Sequence, residues 1–146
     1  MKLSQLTPEQ KTRLLAELDG HSFEDAVTGC MRAVNSNGKS CGGNKHQFFS
    51  ICAIAGIPDY LTSYDAIIPL VQKLWKAAAT DGEASKAWAI KFIQALYPLH
   101  THPECDSIDL QDAFDDCHQA IYLAMMLSTP SQLCDAVLVA TGKVEV

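Results

Sequence analysis

The sequence lacks the features that would assign it to a membrane, a secretory route or a nucleic-acid surface. No apolar run approaches the roughly 20 residues that a membrane-spanning helix needs, and Met1–Glu17 alternates charged residues with leucine instead of holding the apolar centre of a signal peptide. The expected location is therefore a cytoplasm. Basic residues are few, with 11 Lys and Arg against 17 Asp and Glu, a net charge of −6. They are also scattered, which argues against direct binding of nucleic acid. The six cysteines include no Cys-x-x-Cys pair, so neither a zinc ribbon nor a thioredoxin-like site is indicated, and in a cytoplasm they are expected as thiols. Nor is this the composition of a disordered chain: 48% of residues are hydrophobic and 19% charged, which over 146 residues predicts one domain spanning 1–146 with a real core.

What is present is helix punctuation. Thr7-Pro8-Glu9-Gln10 and Thr129-Pro130-Ser131-Gln132 both read T-P-x-Q. Each places Thr at the N-cap, Pro at the first helical position and Gln where its side chain reaches back to the cap N–H. Gly20 and Gly142 stand where the two helices should close. Between them, Phe23, Val27, Cys30, Met31 and Val34 recur at helical spacing and predict a second helix behind Ser22, against the cost of Gly29. Asn35 to Lys45 carries turn chemistry and is read as a long loop. Gln47–Ala55 fits a short buried strand or a helix equally. From Thr62 to Ala79, Tyr64, Ile67, Ile68, Val71, Leu74 and Trp75 form the strongest helical stripe, with Pro69 its misfit: either the helix kinks there or it starts only near Pro69.

Ala84–Leu96 reads as a helix presenting Trp88, Phe92 and Leu96, with a strand over 88–95 as the alternative. A loop from Pro98 to Ser107 and a helix carrying Leu110, Phe114, Cys117, Ile121 and Met125 follow. These segments predict a mostly α, compact single-domain multi-helix fold, with an α+β variant holding a small strand pair near 47–54 left open.

Two segments resemble the phage ABA-sandwich domain proteins, a family of small phage and prophage proteins. They are Ile57-Pro58-Asp59-Tyr60-Leu61-Thr62-Ser63-Tyr64-Asp65-Ala66-Ile67-Ile68-Pro69-Leu70-Val71-Gln72-Lys73 and Ser128-Thr129-Pro130-Ser131-Gln132-Leu133-Cys134-Asp135-Ala136-Val137-Leu138-Val139-Ala140-Thr141-Gly142-Lys143. The opening Leu14-Leu15-Ala16-Glu17-Leu18-Asp19-Gly20 is similar too. These motifs are structural in kind, so the resemblance implies a phage setting and a host cytoplasm and transfers no catalytic residue.

The chemistry-bearing clusters are sparse. His100, His102 and Cys105, with Cys117 or His118, have the residue types of a zinc site but not its tight paired spacing, and no metal is expected. Cys41 lies among glycines with no base motif beside it. Gly38-Lys39-Ser40 has the end of a phosphate loop, but Ala33 stands where its first glycine belongs.

Two binding surfaces remain. One is an acidic helix start, Asp109, Asp112, Asp115 and Asp116, suited to a basic host protein. The other is a glycine-rich loop, Lys39, Ser40, Gly42, Gly43 and Lys45, suited to a small anion cradled by backbone N–H groups. No catalytic residue and no cofactor is expected. The function read from these features and the resemblance is a phage-encoded accessory protein that acts on a host process by binding. Counter-defence by masking a host protein comes first, and sequestration of a small anionic, nucleotide-like signal is the alternative. A metal-dependent enzyme is the third reading.

Overall fold

A computed structural model describes residues 2–26, 28–79 and 127–145, together with positions 88, 91, 92, 95 and 96. After a 3-10 turn at Leu3–Gln5, the elements in chain order are α1 (Pro8–Leu18), β1 (Ser22–Asp25), β2 (Cys30–Val34), β3 (Ser40–Asn44), a 3-10 turn at Lys45–Gln47, α2 (Phe48–Ala55), α3 (Tyr64–Ala79) and α4 (Pro130–Ala140). Among the described residues these four α-helices and a three-stranded antiparallel sheet make a mixed α+β fold, which corrects the mostly α expectation.

Both T-P-x-Q signals act as read. Gln10 N–H donates to Thr7 Oγ1 at 3.2 Å while Thr7 N–H donates to Gln10 Oε1 at 2.9 Å, and Thr129 with Gln132 repeats both bonds at the same distances. α1 ends in a Schellman arrangement: Gly20, at φ +96°, donates to Glu17 O, and His21 N–H donates to Ala16 O. Gly142, at φ +75°, closes α4.

The expected helix over Ser22–Val34 is instead the hairpin β1–β2, and the expected loop Asn35–Lys45 contains β3. Glycines explain the difference. Gly29 (φ +76°) lies in the turn bridged by Ala26 N–H to Cys30 O at 2.9 Å, and Gly38 (φ +89°) in the turn closed by Asn35 N–H to Lys39 O at 2.8 Å. A helix through Gly29 would forfeit about 1 kcal/mol, whereas a tight turn uses its positive φ. In the second turn Asn35 Oδ1 also accepts from Asn37 N–H and Lys39 N–H at 2.9 and 3.0 Å, so the side chain organises the reversal.

β2 lies between its neighbours, with Glu24 opposite Arg32 and Arg32 opposite Gly42. Phe23, Met31, Ala33, Cys41 and Gly43 occupy the covered face, and Ser22, Glu24, Cys30, Arg32, Ser40, Gly42 and Asn44 the exposed one. The strand pair left open near 47–54 is helix: α2 rests on β3, with Phe48, Ile51, Cys52 and Ala55 buried. Gly43 permits that approach, since a Cβ there would stand 3.2 Å from Ile51 Cδ1.

α3 runs unbroken through Pro69, so the helix does not begin there. Positions 88, 91, 92, 95 and 96 are helical, and Trp88 stacks on the buried Phe92 with ring centroids 5.1 Å apart. One buried cluster joins Leu15 of α1, Met31 of β2, Ile51 of α2, Tyr60 in the segment before α3, Ile67 and Leu70 of α3, and Leu133 and Val137 of α4. Lys11 Nζ, 2.8 Å from Asp135 Oδ1, ties α1 to α4, and Leu3 N–H donates to Glu145 O at 2.7 Å.

Candidate binding surface

Ser40, Gly42 and Gly43 are strand residues, and neither glycine has a positive φ. Their N–H groups therefore alternate from side to side, as in any strand, and do not converge on one point. Lys39 and Lys45 flank the strand six residues apart, so their Cα atoms stand about 20 Å from one another in extended chain. The five residues thus form a line along an edge rather than a ring around a small anion.

The pattern of ladder bonds gives that edge its polarity. Asn35 pairs with Lys39 and Lys45 N–H donates to Gly29 O at 3.0 Å. In this register Met31 and Ala33 face Gly43 and Cys41 as the hydrogen-bonded pairs. Cys41 and Gly43 thus spend their backbone groups on β2, and Ser40, Gly42 and Asn44 turn theirs outward. Among the described residues β2 is the one strand beside β3.

Lys45 belongs as well to a shallow cleft of about 170 Å³ lined by Glu9, Gln10, Arg13, Asp25, Met31, Lys45 and Phe48. The Arg13 guanidinium forks onto Asp25, Nη1 to Oδ1 at 3.1 Å and Nη2 to Oδ2 at 2.9 Å, while its Cζ lies 5.2 Å from the Phe23 ring centroid. Lys45 Nζ is 3.7 Å from Asp25 Oδ1. The hydrogen bonds from Arg13 hold the Asp25 carboxyl below its ordinary pKa, and the same contact raises that of Arg13. Asp25 already answers both cations, so the cleft offers an incoming anion little uncompensated positive charge. Its volume is also below the roughly 300 Å³ at which pockets for small molecules begin.

A second polar cluster, not anticipated from the sequence, sits at the end of α1. Asp19 Oδ2 accepts from the buried Tyr60 hydroxyl at 2.6 Å and lies 3.5 Å from His21 Nε2. Lys73 Nζ donates to Asp19 O at 2.9 Å and to Oδ1 at 3.1 Å. His21 Nδ1 accepts from Ser36 N–H at 2.9 Å, which leaves Nε2 to carry the proton towards Asp19. Burial first, and then the hydrogen bond to Asp19, push the Tyr60 pKa upward. Four side chains from α1, the α1–β1 link, the segment before α3 and α3 itself are thereby latched together. Every polar atom involved has a neighbour within the chain, so the cluster reads as a structural tie. Its sequence signal, Asp19 beside the α1 cap and Lys73 on the polar side of α3, is visible only once the two helices are known to meet.

The cysteines split by environment. Burial, then Asp59, pushes the Cys52 thiol up to about 11. Burial also raises Cys134, whose Sγ lies 3.1 Å from Tyr60 O. Both are held as thiols at neutral pH and serve the core. Cys30 is exposed and Cys41 half-buried, each unbridged. Asp109, Asp112, Asp115 and Asp116 lie outside the described residues, as do His100, His102, Cys105, Cys117 and His118. Among the described residues no group of three His, Cys, Asp or Glu side chains is arranged to hold a metal ion, and no helix is long and apolar enough to cross a membrane. Comparison with protein-family models, curated proteins and solved structures gives no match to this chain.

Proposed function

We propose that this chain is a phage-encoded accessory protein that acts on a host process by binding, and that it does so in counter-defence, by masking a host protein in the host cytoplasm. The phage setting rests on the resemblance of 57–73 and 128–143 alone. The observation that favours a protein partner over a small anion is the layout of the Lys39–Lys45 segment. Among the described residues β3 is an extended edge strand with the two lysines at its opposite ends, and Asp25 already occupies the cations of the adjoining cleft. A line of outward N–H and C=O groups running about 13 Å from Ser40 to Asn44 matches an extended polypeptide better than a compact anion.

Native mass spectrometry of the chain recovered from host lysate tests this reading. The expected result is a complex of fixed stoichiometry with one host protein and no small-molecule adduct. An adduct of nucleotide mass that disappears in the Lys39→Ala, Lys45→Ala double variant would establish sequestration instead.

A further inference from the structure

We infer that Cys41 and Cys52 form a redox pair, at which a low-molecular-weight disulfide closes a bridge between β3 and α2. This inference goes beyond the masking reading and does not depend on it. Two observations place the thiols side by side, and a third sets the order in which they react.

The first is the register of α2 on β3. Cys41 and Gly43 share the covered face of the strand, two residues or about 7 Å apart. Gly43 lies against Ile51, since a Cβ built there would stand 3.2 Å from Ile51 Cδ1. At the far end of the helix a Cβ on Gly56 would stand 3.1 Å from Asn35 Nδ2, and Asn35 N–H donates to Lys39 O at 2.8 Å. α2 therefore runs antiparallel to β3, from Gly43 towards Lys39, and Cys41 falls between the two contacts. Cys52 and Ala55 are the buried helix residues over that stretch. The second observation is electrostatic. Burial and then Asp59 raise the Cys52 thiol, and the charge of Cys41 adds to them. Such an influence fades with distance, so it marks Cys41 as a near neighbour. Cys30 stands on the other face of the sheet, opposite Asn44.

The third observation is exposure. Cys41 is half-buried and Cys52 buried, so a solute meets Cys41 first. With glutathione disulfide, Cys41 loses its proton and attacks one of the two sulfurs. The glutathione S–S bond breaks, which leaves a mixed disulfide on Cys41 and releases one glutathione. Cys52 then gives up its proton and attacks Cys41 Sγ, displacing the second glutathione. Two protein thiols are oxidised to one disulfide, and the glutathione disulfide is reduced to two thiols that carry the two protons. In the reducing setting proposed above both cysteines rest as thiols, so the bridge marks oxidation.

The full chain, folded, is treated with glutathione disulfide, alkylated and digested with trypsin without reduction. Cleavage at Lys39, Lys45 and Lys73 puts the two cysteines on separate peptides, residues 40–45 and 46–73, each with a single cysteine. The expected product is these two peptides joined, lighter by two hydrogens than their sum. In Cys52→Ala the reaction should stop at the Cys41 mixed disulfide. In Cys41→Ser, a change at a half-buried position, Cys52 should keep its thiol. The bridged chain should unfold at higher denaturant than the reduced one, because the crosslink restricts the unfolded chain, and dithiothreitol should reverse the gain.

A wild-type chain that keeps glutathione on Cys41 beside a free Cys52 overturns the inference, since the second thiol is then out of reach. So does a bridge from Cys41 to any other cysteine, or a Cys41–Cys52 bridge that forms only after unfolding in urea. Glutathione on Cys52 in Cys41→Ser contradicts the order of attack, and a bridged chain that unfolds at lower denaturant contradicts the register of α2 on β3.

Discussion

The carboxylate of Asp25 accepts both arms of the Arg13 guanidinium, and this lowers its pKa from the ordinary 3.8. A lowered carboxylate contributes stability above its ordinary pKa and loses it as the pH falls through the lowered value. An NMR titration of the Asp25 side chain should therefore show a midpoint below 3.8 that rises in Arg13→Ala, and a wild-type midpoint at or above 3.8 would contradict the fork. Cys52 gives the opposite sign at the other end of the scale. Its thiol ionises near 9.0 when free and is pushed up to about 11 by burial. The folded state then holds a proton that the unfolded chain releases, so stability falls as the pH rises from about 9 to 11, by on the order of 2 kcal/mol from this residue. Denaturant unfolding across that window should show the decline, and Cys52→Ala should flatten part of it. A decline unchanged in Cys52→Ala would place the titrating group elsewhere.

Helix ends were legible because their signals are local. Thr7 with Gln10 and Thr129 with Gln132 need only three residues of context to form their boxes, and both formed. Thr7→Ala and Thr129→Ala should each cost about 1 kcal/mol in chemical denaturation, and a loss near zero in both would mean that water caps these ends as well as threonine does. The sheet was not legible by the same means. Phe23, Cys30, Met31 and Val34 satisfy a helical spacing, yet Met31 and Ala33 alternate with Arg32 just as a strand requires. The deciding information lay in the turns, where Asn37-Gly38 between two short runs is a hairpin signal. The two glycines of β3 carry different burdens. Gly42→Ala should be tolerated, because its Cβ finds ordinary contact distances, while Gly43→Val should cost about 1–3 kcal/mol by overpacking against Ile51. Equal thermal midpoints for these two variants would show that α2 does not rest on β3 as described.

Across the whole molecule, the core was read in large part from its periodicity. Ile67, Val71, Phe92 and Leu96 are buried where the helical stripes placed them. The candidate surface was only half legible: Lys39, Ser40, Gly42, Gly43 and Lys45 were singled out by composition, but their shape depends on β2, which supplies the ladder that straightens them. A glycine-rich segment in isolation reads as a loop, and long-range pairing makes it an edge. That change from loop to edge is what favours the proposed polypeptide partner over a small anion, and the functional account depends on it. Residue-resolved amide hydrogen exchange of the free chain tests it most directly. The account predicts slow exchange at Cys41 and Gly43, whose amides face β2, alternating with fast exchange at Ser40, Gly42 and Asn44, whose amides face outward. Fast exchange at all five positions would return the segment to a loop, and slow exchange at all five would show that the edge is already covered.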